Sequence, residues 1–162
     1  MATDAERRHM QDLMRFLIAH EPNVHYAMRR PMETVKLTEK QMRAKVQAGR
    51  FPGITMDCSE SVTCLCKWAG LSDPNGERYN GTGWTGTLLA HLPHYSDPKI
   101  AEPGALVVFG PGSGDHVCMV LESGTDPLLF SHGQERGPLA IRLSVERRAH
   151  RTPVTFLNIS KL

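Results

Sequence analysis

The order of segments along the chain predicts an α+β domain in which N-terminal helices pack against a C-terminal antiparallel sheet. Two observations carry this. Helical spacing of apolar residues and capping signatures dominate up to about Gly70, and from Gly104 onward the chain turns into short β-prone runs separated by turn clusters. A third bounds it: 162 residues with 40% hydrophobic and 22% charged content suit one folded domain spanning 1–162, with no internal repeat.

Thr3 with Glu6 forms a capping-box pattern, and Met10, Leu13, Met14, Leu17 and Ile18 recur at helical spacing until Glu21-Pro22 ends the run. A loop from Asn23 to Leu37, broken by Pro31, leads to a second capping box at Thr38 and Gln41. This opens a short polar helix ending near Gly49, and Phe51-Pro52-Gly53 turns the chain. Asp57 is an N-cap type, Glu60 completes a D-x-x-E pattern, and Gly70 is a C-terminal stop, so a helix is expected from Cys58 to about Ala69. Its inward face would carry Cys58, Val62, Leu65 and Ala69.

Ser72 to Gly86 reads as loop, followed by a short apolar stretch from Thr87 to Leu92. The runs GALVVFG, HVCMVLE, PLLFS, LAIRLSV and VTFLNI read as strands, parted by turns at Gly110–Gly114 and Ser123–Pro127. The Gly-rich GPGSGDH lacks the G-K-[ST] ending of a phosphate cradle and reads as a hairpin loop.

A formal net charge of +2 gives no field for nucleic acid, and the basic run Arg142 to Arg151 reads as a solvated loop more readily than as a wall-binding patch. The amino terminus lacks the basic and apolar regions of a secretory signal, and no apolar run reaches membrane-spanning length. Synthesis in the cytoplasm is therefore expected. Four cysteines without paired C-x-x-C spacing argue against a disulfide scaffold and against a metal site, and no cofactor is expected. Cys64, Cys66 and Cys118 read as buried small hydrophobes in mid-helix or mid-strand.

Cys58 differs from them. A cysteine in the first turn of a helix meets unpaired backbone N–H groups and the positive end of the helix dipole, which favour thiolate. Such a nucleophile needs an imidazole base, itself held by a third polar group. Of eight histidines, His9, His20, His91, His94 and His150 read as surface or satisfied residues. His116 opens the strand HVCMVLE and His132 closes LLFSH, so a hairpin would bring the two together. Spacing alone does not single out Cys58–His116–His132, because eight histidines always offer some pair near some cysteine.

Met56-Asp57-Cys58-Ser59, Pro103 to Phe109, His116-Val117 and Ser131-His132 resemble, in order, the D-C-S, P-G-D-L-V-F-F, H-V-G and I-H-A blocks of the NlpC/P60 family of cysteine peptidases. The resemblance covers roughly Tyr26 to His132. The phrases DPNGERYNGTGW and DPLLFSHGQE are similar to those in small cell-wall hydrolases of phages that infect actinobacteria. The resemblance implies a papain-like fold, Cys58 as nucleophile, His116 as base and His132 as the orienting residue. It implies cleavage of peptidoglycan stem peptides, in the family usually between D-glutamate and a diamino acid. Tyr26 matches a family tyrosine that lines the site and helps hold the oxyanion, although a loop tyrosine packed on the core would read the same way. Asp57 and Ser59 flank the nucleophile.

Three departures stand out: Glu60 where the family has a small residue, Ala105 for Asp, and Cys118 for Gly. A Glu60 side chain turned inward would oppose thiolate, whereas capping the helix would turn it away. Other readings stay open: an N-acetylmuramoyl-L-alanine amidase or acyltransferase of papain-like type, or a virion or tail component keeping the fold for binding. Reaching a cell wall would need a delivery partner, a holin or a virion.

Overall fold

In the computed structural model, which describes residues 2–48, 53–134, 137–160 and 162, the helical half comes first. Helix α1 (Asp4–Ala19) starts on the Thr3 capping box, in which Glu6 N–H donates to Thr3 Oγ1 and Thr3 N–H to Glu6 Oε2. Its buried stripe is Met10, Leu13, Met14 and Leu17. Helix α2 (Glu39–Gln47) starts on the matching box of Thr38 and Gln41. Each such cap stabilises a helix by about 1 kcal/mol. The expected stop at Gly49 and most of the turn at Phe51-Pro52-Gly53 lie outside the described residues.

Two short strands, β1 (Val24–His25) and β2 (Ile54–Thr55), pair in parallel, and Met56 N–H donates to the His25 carbonyl at 3.0 Å. This ribbon sets Tyr26 beside the start of α3 (Cys58–Trp68), the helix expected at this place.

The stretch expected as loop from Ser72 to Gly86 is loop up to Trp84, but an organised one. The buried Asp73 carboxylate accepts from the N–H groups of Asn75, Glu77 and Tyr79, and the Asn75 side chain links Thr63 of α3 to Thr87. The apolar stretch after it forms α4 (Thr85–His91).

The sheet follows: β3 (His94–Tyr95), β4 (Leu106–Phe109), β5 (His116–Glu122), β6 (Leu128–Ser131), β7 (Leu139–Arg142) and β8 (Val154–Leu157). All pairings are antiparallel, in the order β3-β8-β4-β5-β6-β7, so β8 enters between β3 and β4. The α+β architecture with an antiparallel sheet is as the sequence predicts.

Strand alternation sorts the core into two clusters. Leu106, Val108, Val117, Met119, Leu121 and Phe130 meet α1 and α3 on one face. Val107, Phe109, Cys118, Val120 and Leu129 fill the other face with Leu143. That second face is covered by a segment read from sequence as strand and solvated loop. LAIRLSV is strand only to Arg142, then turns into α5 (Leu143–Glu146) and a 3₁₀ turn, Arg147–Ala149. Within the basic run, Leu143 and Glu146 are buried. The Asp126 side chain accepts from the Ser144 N–H and hydroxyl, which fastens this segment. Among the described residues no helix is long and apolar enough to cross a membrane.

Candidate active site

Cys58 is the first residue of α3 and is 8% exposed. Asp57 caps the helix by accepting the Glu60 N–H at 2.7 Å and the Ser59 hydroxyl at 3.1 Å. Its other oxygen takes Arg30 Nη1 at 2.8 Å, while Arg30 Nη2 donates to Ser59 Oγ at 2.8 Å and Nε to the Gly83 carbonyl. One guanidinium thus fastens both residues that flank the thiol. Asp57 is buried, so this paired geometry is what makes its charge tolerable.

Burial raises the Cys58 thiol above its ordinary range, and the Asp57 carboxylate pushes the same way. N–H groups from Val117 on β5 and from the helix start pull it down. Here desolvation outweighs the helix N-terminus, so the resting group is a thiol rather than the thiolate expected from sequence. Cys64, Cys66 and Cys118 are fully buried, and burial raises each of them as well. Tyr26 leaves β1 with its phenol facing Cys58. Burial first, then the Cys58 and Asp57 charges, push that phenol up to about 12, so it stays a hydrogen-bond donor.

The two histidines take different places. His116, at the start of β5, places Nε2 3.0 Å from the Ser131 hydroxyl. Its ring stacks on His150 with centroids 4.6 Å apart, and His150 Nε2 lies 2.9 Å from Glu146 Oε1. Burial and the neighbouring His150 lower His116 to about 4. His132 instead shares the proton of Nε2 between the carbonyls of His25, at 3.1 Å, and Met56, at 2.9 Å. Because carbonyls only accept, Nε2 carries that proton and Nδ1 keeps a lone pair, which is buried without a partner. The His132 ring lies 5.5 Å from that of Tyr26.

The structure therefore brings Cys58, Asp57, Ser59 and Tyr26 into one cluster, with His132 beside it. His116 adjoins through the Val117 amide. Among the described residues no hydrogen bond joins the Cys58 thiol to either imidazole. The side chain within hydrogen-bond distance of His116 is that of Ser131, the neighbour of the histidine expected there. A cavity of about 390 Å³ opens on His116, Ser131, Tyr26, Glu146 and His150, with Met28 and Gln134 at its edge.

Sequence reasoning missed Ser131, Glu146 and His150. Strand alternation could have flagged Cys118, since it shares a side of β5 with His116. Together His116, Cys118 and Glu146 hold three potential ligand atoms within 4.8 Å of one another. Glu60 departs from its expected role. Its N–H is capped, but its side chain does not return the cap. Both carboxylate oxygens are buried without a hydrogen-bond partner, and burial raises the group to about 7.

Compared with protein-family models, curated proteins and solved structures, the chain matches none.

Proposed function

We propose that the protein is a cysteine peptidase with a papain-like NlpC/P60 fold that hydrolyses amide bonds in peptidoglycan stem peptides, at the D-glutamyl–diamino acid linkage. The observation that carries the reading is the placement of Cys58. It sits at a helix start, faces the Tyr26 phenol, and lies against the Val117 amide that follows His116 on β5. The cavity lined by Tyr26 and His116 has a volume of about 390 Å³.

In this reading His116 is the base. With Nε2–H given to Ser131, Nδ1 holds the lone pair that takes the thiol proton as sulfur attacks the carbonyl carbon. The Cys58 N–H and the Tyr26 hydroxyl stabilise the oxyanion. His116 returns the proton to the leaving amine, and water then hydrolyses the thioester. Hydrogen bonds of this kind often close only when substrate is bound. The chemistry is general-base activation of a neutral thiol, not a standing ion pair, because His116 is neutral above about 4 and Cys58 is raised.

A second assignment of the base rests on one observation, the idle buried Nδ1 of His132. His116 is preferred because it lines the cavity where a leaving amine would sit, whereas His132 is 1% exposed.

The test is digestion of actinobacterial peptidoglycan by the protein and by Cys58→Ala, with released peptides identified by mass. New amino termini at the diamino acid, absent with the variant, are expected. Muramoyl-alanine cleavage would replace endopeptidase by amidase. Equal products from both proteins, or none from either, would remove the peptidase reading.

A further inference from the structure

Next to His116 lie two reactive side chains, Cys118 and Glu146, that the proposed hydrolysis does not use. Cys118 follows His116 by two residues on the strand, so both project to the same side, and Glu146 of α5 is folded down onto them. The three donors are buried and lie within 4.8 Å of one another. His150 is hydrogen-bonded to the Glu146 carboxylate, as outer partners of metal-ligating groups are, and the cavity lined by His116, Glu146 and His150 gives an entry path.

We propose that His116, Cys118 and Glu146 form a Zn²⁺ site whose occupation withdraws His116 from proton transfer. The ligand set fits the ion. One thiolate and one carboxylate would neutralise two positive charges, and an imidazole would supply the third donor. Binding replaces the Cys118 S–H bond with S–Zn and releases that proton to solvent. A neutral imidazole has one lone-pair nitrogen. Once that nitrogen holds zinc, the other is an N–H and the ring can accept nothing. Zinc is thus an inhibitor here, not the source of a nucleophilic water. The metal site stands on its own geometry, whereas the inhibition rests on the peptidase reading with His116 as base.

Titration with CoCl₂ in place of zinc reads the site directly, through the near-ultraviolet charge-transfer band of a cobalt–cysteinate bond. The wild type and Cys58→Ala should both give the band at about one equivalent, and Cys118→Ser should lose it. Calorimetry with ZnCl₂ should show Glu146→Gln weakened about tenfold or more. Circular dichroism of each variant checks that it is folded, and Glu146→Gln still decides the matter if Cys118→Ser is not. No band in the wild type, a band surviving Cys118→Ser, or one lost only in Cys58→Ala would overturn the site. Each protein's hydrolysis rate with zinc is then compared with its own zinc-free rate. Inhibition should be strong in the wild type and weak in Glu146→Gln. Zinc binding at full activity would overturn the inhibition alone. Absence of hydrolysis without zinc would remove the peptidase reading while leaving the cobalt result to judge the site.

Discussion

His132 donates from Nε2 to the Met56 carbonyl at 2.9 Å, two residues before Cys58, and the same proton reaches the His25 carbonyl one residue before Tyr26. One ring therefore ties together the two segments that deliver thiol and phenol. Replacing it with Ala removes this donor from the Met56 carbonyl and leaves the His25 carbonyl with the Met56 N–H, and should cost about 2 kcal/mol in denaturant unfolding. His132→Gln, which keeps an N–H donor, should recover part of the loss. Equal stability of wild type and His132→Ala would contradict the tie.

The contact of His116 with Ser131 sets a ranking in activity. His116→Ala should lower kcat by at least about a hundredfold. Ser131→Ala should lower it less, since the base remains and only its orientation is relaxed. A larger loss in His132→Gln than in His116→Ala would make His132 the base.

Burial lowers His116 to about 4, so its base form persists into acid. The acid limb of kcat/KM for the free enzyme should bend at about pH 4 instead of near the usual 6.5. A limb centred at 6 or above would show that His116 is exposed to solvent in the working protein, or is not the base.

Glu60 and His116 pull stability in opposite directions. Glu60 rises to about 7, so between about 4.5 and 7 the folded state holds a proton that the unfolded state has lost, and stability falls as pH rises through that window. His116 does the reverse. Between about 4 and 6.5 the unfolded state binds the extra proton, and stability rises with pH. Each effect is on the order of 3 kcal/mol, so the two nearly cancel. Glu60→Gln should expose the His116 slope, giving a variant whose stability climbs from pH 4 to 6.5 and exceeds the wild type above pH 7. Parallel stability profiles for the two proteins would refute a buried, ionisable Glu60.

Alkylation with peptide mapping should label Cys58 first, because Cys64, Cys66 and Cys118 are wholly enclosed. Iodoacetamide should abolish hydrolysis, and EDTA should leave it intact. Loss of activity to EDTA with rescue by zinc would turn the enzyme into a metallopeptidase.

Where local chemistry decides the structure, the sequence was legible. Thr3, Thr38 and Asp57 mark three helix starts because capping is written within four residues. The strand cores were readable for the same reason, being short β-branched runs between turns. What could not be read depends on which element comes to lie across from which. Ser131 and His132 are neighbours, and only the pleat decides which one touches His116. Glu146 and His150 sit in a run whose charge pattern reads as solvated, and the burial of Glu146 and half-burial of His150 follow from α5 folding over the sheet. Glu60 looked like a cap because its position is right; its side chain went inward instead, at a cost no local rule records.

The place of β8 between β3 and β4 has a consequence for the order of assembly. Among the described residues β3 pairs with the rest of the sheet only through β8, which is synthesised some sixty residues later. During translation β4, β5, β6 and β7 can zip hairpin by hairpin, while His94-Tyr95 waits with no strand to join and one flank of β4 stays open. The nascent sheet carries an exposed, hydrophobic edge at Leu106–Phe109 until the ribosome has released Leu157, and in that interval another chain's strand could dock there instead.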